Sequence, residues 1–455
     1  MGGIIAVIFL GVCAGMAAAG VPTMALIFGL MVVFRLGIRG TWAEYAHLGA
    51  PRDACDAWDC WALARTVRLK AHGADFASSI SIFSAGPPRM SFFTSKKPRV
   101  RLARWSLYLS TGLAFGAVLI PLFLGACVFS APGYNGPVSD HFDGERFHNL
   151  EPFGEKSFGD VMKWRWTSSK TPWPDKRGLP PGPPPPRRVE GEELRVTFVN
   201  HATVLIQTAG LNILTDPVWS ERTSPVSWAG PKRQKDAGIL YEDLPPIDLV
   251  VISHNHYDHL DIATLKKLSA DHAPLILVPL GNAALLQANG IANARDLDWW
   301  ESVDVAPGVR ATFTRCQHWS SRGTRDRFKT LWGGFAFETP GGLVYYSGDT
   351  GFGTFYNEVR ERFGRPRLAL LPIGAYEPRW FMKSAHQNPE EAVQAHNVLQ
   401  PLVSLGVHWG TWQLTDEGMD APVVALDAAL ENAGLTPEDF WVLDNGQGRD
   451  VPAMP

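Results

Sequence analysis

The sequence predicts an α/β domain of sheets covered by helices, preceded by transmembrane or signal helices. Two apolar segments without a charged residue, 1–34 and 105–129, lie in the first part of the 455-residue chain. After residue 190, short β-branched runs separated by turns give way to strands that alternate with helical segments. Such a pattern is typical of sheets packed against helices. We therefore divide the chain into a membrane-spanning or signal region (1–130), a linker (131–190) and a folded domain (191–455).

Each apolar segment is long enough to cross a membrane, because a spanning helix needs about 20 apolar residues. Basic residues precede the second segment, and positive charge beside a span favours the cytoplasmic side. We therefore expect a membrane protein whose folded domain lies on the outer, periplasmic face. The alternative is a lipoprotein signal that begins near Met90 and ends at Cys127, in which case residues 1–126 are removed.

Residues 131–190 are rich in Trp, Gly and Pro and close with a proline-rich run at 180–186. Proline has no backbone donor and favours an extended polyproline conformation. We therefore expect this segment to be a hinge or spacer without a fold of its own. A proline-rich ligand for a partner protein is the alternative.

The charge balance and the cysteines exclude several classes of protein. Lys and Arg number 42 against 45 Asp and Glu, so the chain lacks the basic excess of a nucleic-acid binder. Five cysteines without a CxxC pair indicate neither a disulfide framework nor a thiolate zinc site. Cys316 alternates with apolar residues and is expected in the core. Any metal ion is therefore expected on His and Asp side chains.

The folded domain is predicted to contain at least ten strands and five helices. The strands are predicted at 194–199, 203–207, 211–214, 249–253, 275–279, 311–316, 332–337, 343–347, 368–373 and 403–407. The helices are predicted at 262–269, 282–289, 355–363, 389–397 and 422–432.

One short motif contains most of the candidate metal ligands. The apolar run 249–252 is followed by four side chains able to bind metal: His254, His256, Asp258 and His259. Leaving so many polar groups buried and unpaired is costly, which indicates metal binding. Imidazole and carboxylate ligands suit zinc, and also manganese or iron(II). Further candidates at the ends of later predicted strands are His318, Asp349 and His408.

Longer motifs extend this pattern. They include Asn200-His201-Ala202-Thr203-Val204, Leu214-Thr215-Asp216-Pro217, Gln317-His318-Trp319, Ser347-Gly348-Asp349-Thr350-Gly351 and Val407-His408-Trp409-Gly410. Together with the His-rich motif they resemble the metallo-β-lactamase superfamily, and within it the N-acylphosphatidylethanolamine-hydrolysing phospholipases D. The resemblance covers about 195–445 and not the first 190 residues. It implies an αββα sandwich with a binuclear site on one edge. Asn200 departs from the family pattern, which usually has Gly there.

The resemblance implies two Zn²⁺ ions per chain. One would be bound by His254, His256 and His318, and the other by Asp258, His259 and His408, with Asp349 bridging both. It also implies catalytic roles for Asp258, Asp349 and His386, where His386 contacts the phosphate or protonates the leaving oxygen. The further candidates for substrate binding are Tyr257, Arg379 and Lys383.

The resemblance implies a membrane-associated phosphodiesterase of the phospholipase D type that acts on N-acylphosphatidylethanolamine-like phospholipids. Two metal ions activate water and stabilise phosphoryl oxygens, so hydrolysis needs no covalent enzyme intermediate. One alternative is a lactonase or another metal-dependent hydrolase of a small anionic substrate, since the same ions polarise a carbonyl. The other is a membrane-anchored binding module without catalysis. A nucleic-acid partner is not expected.

Overall fold

The computed structural model describes residues 116, 120, 123–174, 178 and 180–455. All described residues belong to one compact unit. The predicted apolar segment 1–34 and most of 105–129 lie outside the described residues, as does most of the predicted signal peptide. Within the part of the chain that is described, no helix has both the length and the apolar character needed to span a bilayer.

The domain contains two seven-stranded sheets. The first sheet consists of β1 (Leu194–Asn200), β2 (Thr203–Thr208), β3 (Leu211–Thr215), β4 (Leu249–Val251), β5 (Leu275–Pro279), β6 (Ala294–Leu297) and β14 (Gly448–Asp450). The second consists of β7 (Ser302–Ala306), β8 (Val309–Thr314), β9 (Gly334–Thr339), β10 (Gly342–Tyr346), β11 (Leu368–Pro372), β12 (Val403–Val407) and β13 (Phe440–Trp441). The strand orders are β14-β1-β2-β3-β4-β5-β6 and β13-β12-β11-β10-β9-β8-β7.

The two sheets share one pairing scheme. From β14 to β3 the neighbours in the first sheet are antiparallel, and from β3 to β6 they are parallel. The second sheet is antiparallel from β7 to β10 and parallel from β10 to β13. This is the mixed two-sheet α/β architecture that the metallo-β-lactamase resemblance implies. Because parallel strands end at the same edge of a sheet, side chains that follow β4, β10 and β12 can meet at one rim.

The described helices cover and border the sheets. They are α1 (Phe158–Thr167), α2 (Ile262–Asp271), α3 (Asn282–Ala288), α4 (Phe355–Phe363), α5 (Arg379–Met382), α6 (Pro389–Leu399) and α7 (Ala421–Ala433). Helix α6 begins at a capping box, in which Asn388 and Glu391 satisfy each other's backbone N–H groups, and Pro389 occupies its first position. Helix α7 ends at Gly434, whose φ of 69° is the left-handed conformation that glycine adopts readily.

Successive side chains of a strand point to opposite faces of the sheet, and in the first sheet the two faces belong to two different hydrophobic cores. In β1, Val196 and Phe198 belong to a large core that contains residues of both sheets. In β4, Val250 belongs instead to a smaller core with Leu265 and Leu268 of α2. Both faces of the sheets are therefore buried, as is typical where helices cover parallel strands. The expectation that Cys316 packs in the core is confirmed, since it is 2% exposed.

The segment predicted as a linker is largely folded onto the domain. Phe142 and Phe147 are each 1% exposed and belong to the large core. Helix α1 begins at a capping box formed by Ser157 and Asp160. Farther on, Gln207 Nε2 donates to the carbonyl of Pro186 at 2.7 Å. The prediction of a spacer without a fold is therefore wrong for residues 131–174, because the aromatic residues of this segment serve as packing groups.

Candidate metal centre

The predicted ligands meet at one rim of the two sheets. The His-rich motif begins three residues after β4, His408 directly follows β12, and Asp349 comes three residues after β10. His318 follows β8 by four residues. The sequence thus places the donors on loops that leave neighbouring strand ends, four from the first sheet and three from the second.

Three imidazoles form the first cluster. His254 Nε2 lies 2.8 Å from His256 Nδ1, and His318 Nε2 lies 3.3 Å from the same atom. The potential ligand atoms of all three residues lie within 4.8 Å of one another. This is the trio that the resemblance assigns to one zinc ion, and its geometry suits a single cation.

A carboxylate and two imidazoles form the second cluster. Asp258 Oδ2 lies 3.4 Å from the Nε2 atoms of both His259 and His408. His201, which follows β1 with a φ of 46°, places its Nε2 3.0 Å from Asp258 Oδ2. The potential ligand atoms of these four residues also lie within 4.8 Å of one another. The sequence motif at 200–204 suggested that His201 supports a metal ligand by hydrogen bonding, and its ring lies beside the Asp258 carboxylate.

Asp349 contacts both clusters. Its Oδ2 atom lies 2.9 Å from His408 Nε2 and 3.1 Å from His259 Nε2, on the side of the second cluster. The same oxygen lies 3.9 Å from His318 Nε2, on the side of the first. This is the position that a carboxylate bridging two cations would occupy.

The chemistry of the donors fits two divalent cations. Among the described residues, His259 Nε2, His408 Nε2 and Asp349 Oδ1 are buried atoms without a hydrogen-bond partner. Buried polar atoms without an aligned hydrogen bond are costly, and a cation bound between them would satisfy them. Imidazole nitrogens with carboxylate oxygens form a donor set suited to zinc, manganese or iron(II).

The electrostatics of the site favour ionised carboxylates. Burial alone would raise the pKa of Asp349, but His259 and His408 lower it well below its usual value. Burial, together with neighbouring imidazoles, lowers the pKa of His254 well below its usual value, so its ring is neutral. For His408, burial would lower the pKa, but Asp349 and Asp258 raise it to about 9. Metal binding at such a site releases the protons that its ligands hold.

Asp216 is a site residue that the sequence analysis did not assign. It is fully buried directly after β3, with a φ of 35°. Its Oδ2 atom accepts hydrogen bonds from His259 Nδ1 at 2.6 Å and from the Tyr346 hydroxyl at 2.5 Å. Because the proton on Nδ1 points at Asp216, Nε2 of His259 is left free to face the cluster. Its sequence signal is the Leu214-Thr215-Asp216-Pro217 motif, in which Asp216 directly follows an apolar strand.

His318 is held from two directions. Its Nδ1 lies 2.9 Å from the carbonyl of Ala385, which leaves Nε2 facing the first cluster. Its backbone N–H donates to Asn149 Oδ1 at 3.1 Å, and Asn149 Nδ2 donates to its carbonyl at 2.8 Å. Asn149 belongs to the segment predicted as a linker, and no local pattern in the sequence pointed to it.

A cavity of about 350 Å³ opens beside the two clusters. His256, Asp258 and Asp349 reach it from the metal side. Its walls are mainly apolar and come from four separate parts of the chain: Phe153, Val161, Trp164, Trp319, Phe381, Met382 and Leu414. Trp164 of α1 stacks on Phe381 with ring centres 4.9 Å apart. The folded 131–174 segment therefore forms part of this wall.

Two of the predicted substrate-binding residues line this cavity. His386 lines it with its Nδ1 3.9 Å from Asp349 Oδ2, and burial lowers the pKa of His386 to about 4. The ring is therefore neutral and can form a hydrogen bond without bearing charge. Tyr257 lines the cavity too, but its hydroxyl donates to the carbonyl of Arg322, whose guanidinium lies 3.8 Å from the ring centre.

Arg379 and Lys383 do not line the cavity, in contrast to their predicted contact with an anionic headgroup. The Arg379 guanidinium donates to Glu391 Oε2 at 2.7 Å and to the carbonyl of His386 at 2.8 Å. The Lys383 ammonium is largely exposed and lies 3.9 Å from Glu391 Oε1. Because Glu391 at the start of α6 attracts both cations, Arg379 instead helps to position the His386 backbone.

Comparisons with known proteins match the part of the chain that carries these residues. Residues 211–409 match the family described as the beta-lactamase superfamily domain. The chain is 40% identical over 231 residues to N-acyl-phosphatidylethanolamine-hydrolyzing phospholipase D 1 of Caenorhabditis elegans, covering 49% of this chain and 65% of that protein. It is 36% identical over 232 residues to the mitochondrial N-acyl-phosphatidylethanolamine-hydrolyzing phospholipase D of Saccharomyces cerevisiae, covering 50% and 49%.

A longer match has no assigned activity. An uncharacterized protein of Mycobacterium tuberculosis is 34% identical over 353 residues, covering 74% of this chain and 94% of that protein. The chain thus spans less than two thirds of the nematode protein and about half of the yeast protein, but nearly all of the mycobacterial one.

Proposed function

The chain belongs to the metallo-β-lactamase superfamily and is a metal-dependent hydrolase, and we propose that it is a membrane-associated two-zinc phosphodiesterase that cleaves phospholipids as a phospholipase D does. The observation that carries the proposal is the convergence of seven His and Asp donors beside an apolar cavity. Polar groups at one end and apolar walls along the rest suit a substrate with a charged phosphate and a hydrocarbon part.

Each of the two clusters would bind one metal ion. His254, His256 and His318 would hold one Zn²⁺ ion, and Asp258, His259 and His408 the other, with Asp349 shared. When bound, such a pair of ions activates water and stabilises the negative charge on phosphoryl oxygens during in-line attack. The seven donor residues would fix where the ions lie, and therefore where the phosphate of the substrate binds.

His386 is proposed to contact the phosphate. Its ring lines the cavity and lies beside Asp349, and it is neutral at neutral pH. A neutral imidazole can donate a hydrogen bond to a phosphoryl oxygen or pass a proton to the leaving alcohol. Tyr257 is proposed to border the substrate, held in place by Arg322.

The substrate class follows from the cavity and from the relatives together. The nematode and yeast proteins are named for hydrolysis of N-acyl-phosphatidylethanolamine. The aromatic and aliphatic wall formed by residues such as Trp164 and Phe381 suits an acyl chain. We therefore propose an N-acylphosphatidylethanolamine-like phospholipid as the substrate.

Membrane association is supported by the exposed face of α1. Phe158, Met162 and Trp166 follow one another at intervals of four residues and are 80%, 42% and 88% exposed. Residues four apart lie on one face of a helix. Lys163 and Arg165 on the same helix provide positive charge that attracts anionic headgroups. We propose that this face meets the lipid surface, on the outer side of the membrane as the basic residues before 105–129 predict.

The test is a release assay on the purified full chain. N-acylphosphatidylethanolamine should be cleaved to N-acylethanolamine and phosphatidic acid, and metal analysis should find about two zinc ions per chain. Asp258→Asn should abolish turnover and lower the zinc content, whereas the exposed control Asp427→Asn should change neither. Rapid lactone hydrolysis without phosphodiester cleavage would favour the lactonase instead. Full activity of Asp258→Asn would contradict the two-metal site.

A further inference from the structure

Arg327 is a partly buried cation in the wall of the catalytic cavity. Its guanidinium carbon lies 4.8 Å from the ring centre of Trp319 and 5.0 Å from that of Phe328. One of its N–H groups donates to the carbonyl of Lys156 at 2.9 Å. Contacts with two aromatic rings and a carbonyl fix the position of this otherwise flexible side chain.

This cation has no ion-pair partner in the described part of the chain, although Glu155 is near enough to offset part of the effect of burial on its pKa. Throughout the described residues, no carboxylate lies at ion-pair distance from Arg327, and its buried Nε has no hydrogen-bond partner. The nearby Glu155 forms its ion pair with Arg146 instead, at 3.1 Å. A partly buried guanidinium with an unsatisfied donor beside apolar and aromatic groups favours the binding of an anion from outside.

A second cation lines the same cavity. Lys156 donates through Nζ to the carbonyl of Trp380 at 3.2 Å, and Nζ lies 6.0 Å from the ring centre of Phe381. Since the carbonyl of Lys156 also accepts from Arg327, the two residues are held together. The cavity therefore presents positive charge on its wall in addition to the donors of the metal centre.

We propose that Arg327 and Lys156 bind a second anionic group of the substrate, a carboxylate or a phosphate, while the phosphodiester to be cleaved occupies the metal centre. This inference rests on the proposed function and adds a determinant of specificity to it. A guanidinium binds carboxylate and phosphate oxygens through paired N–H groups, and such charge-assisted bonds are stronger than neutral ones. Lipids that carry an extra negative charge beside the scissile phosphodiester are thus the preferred substrates.

The test compares two lipids that differ by one carboxylate. N-acylphosphatidylserine and N-acylphosphatidylethanolamine with the same acyl chains are assayed in mixed micelles with the full chain. The wild type should have the lower KM for the serine lipid. Arg327→Gln should reduce the ratio of the two kcat/KM values about tenfold, the effect of one charge-assisted hydrogen bond. Arg327→Lys, which keeps the charge but loses the planar fork, should give an intermediate ratio.

A matched control lies two residues away. Arg325 is exposed and does not line the cavity, so Arg325→Gln should keep the wild-type ratio. A ratio that is the same in the wild type and in Arg327→Gln would overturn the proposal. So would a wild type that discriminates against the serine lipid.

A binding measurement separates this proposal from the proposed function. If the wild type cleaves neither lipid, the phospholipase assignment fails, and titration calorimetry with N-acylserine and N-acylethanolamine tests the anion site alone. Tighter binding of N-acylserine by about tenfold, lost in Arg327→Gln, would support the site. Equal binding of the two amphiphiles by the wild type would exclude it.

Discussion

Asn149 binds both backbone polar groups of His318. Its Oδ1 accepts from the His318 N–H at 3.1 Å, and its Nδ2 donates to the His318 carbonyl at 2.8 Å. Trp332 Nε1 donates to the same Oδ1 at 3.2 Å. One amide side chain from the folded 131–174 segment thus fixes the loop that carries a proposed zinc ligand.

Replacing Asn149 should weaken the metal centre. Asn149→Ala leaves the N–H and carbonyl of His318 without these partners, so the loop relaxes and His318 Nε2 moves away from His254 and His256. Partners of metal ligands typically contribute about 10- to 100-fold to affinity. A competition titration with a zinc chelator should show a loss of this size. The exposed helical residue Asn397 provides the control, because Asn397→Ala should titrate as the wild type does.

Replacing Asp216 should affect the second cluster. Asp216→Asn removes the charge that holds the Nδ1 proton of His259 and lets the ring adopt the other tautomer, with its proton on Nε2. We expect zinc affinity to fall about 10- to 100-fold with a parallel loss of activity at limiting zinc, partly restored by excess zinc. Wild-type affinity in Asp216→Asn, measured by the same titration, would show that this carboxylate does not orient His259.

The exposed apolar face of α1 should increase activity only on substrate that is part of a lipid surface. Phe158→Ser with Trp166→Ser removes two large apolar groups, each expected to contribute about 1.5–3 kcal/mol when buried in the interface. Activity on vesicles should fall at least tenfold relative to activity on a short-chain, monomeric phosphodiester. Val424→Ser, which removes an exposed apolar group of α7, should leave this ratio unchanged. Equal losses on both substrates would instead indicate a defect in the catalytic site.

His141 should make the packing of the folded 131–174 segment against the domain sensitive to pH. Its Nδ1 lies 2.6 Å from Asp140 Oδ1, its Nε2 lies 2.8 Å from Asp298 Oδ1, and its ring stacks on Trp299. Burial alone would lower the pKa of His141, but hydrogen bonds to Asp298 and Asp140 raise it above its usual value. A raised pKa in the folded state means that the protonated ring stabilises the fold.

This stabilisation is complete below the unfolded pKa of about 6.5 and is lost as pH rises through the higher folded pKa. The wild type should therefore lose more thermal stability than His141→Gln between about pH 6 and about pH 9. Thermal denaturation followed by circular dichroism measures the difference. Parallel changes in the two proteins would exclude a contribution from His141.

The sequence predicted those parts of the fold that depend on local patterns. Strands β5 and β12 and helix α4 have the predicted bounds, because continuous apolar runs or a clear helical period mark them. The predicted ligands could be found because four of them are adjacent in sequence and the others follow apolar strands.

The elements that were missed lack such patterns. Strand β6 is a short edge strand with the sequence Ala-Arg-Asp-Leu, and β13 has only two residues. Helix α1 has no fully buried residue, so its apolar residues do not mark it as a core helix, and its neighbours are rich in Gly and Pro. The role of Asn149 depends on a contact across 169 positions, which a single sequence does not reveal.

The metal centre draws its donors from both layers of the domain. His254 leaves the first sheet after β4, whereas His408 leaves the second after β12. Ions bound by donors from both sheets would join the two sheets at this end of the domain. The free energy of ion binding would then contribute to the free energy of folding. Because the large core joins both sheets through apolar contacts alone, removal of the proposed ions should loosen this end of the domain before it unfolds the rest. Loss of activity would then precede loss of structure as zinc becomes scarce.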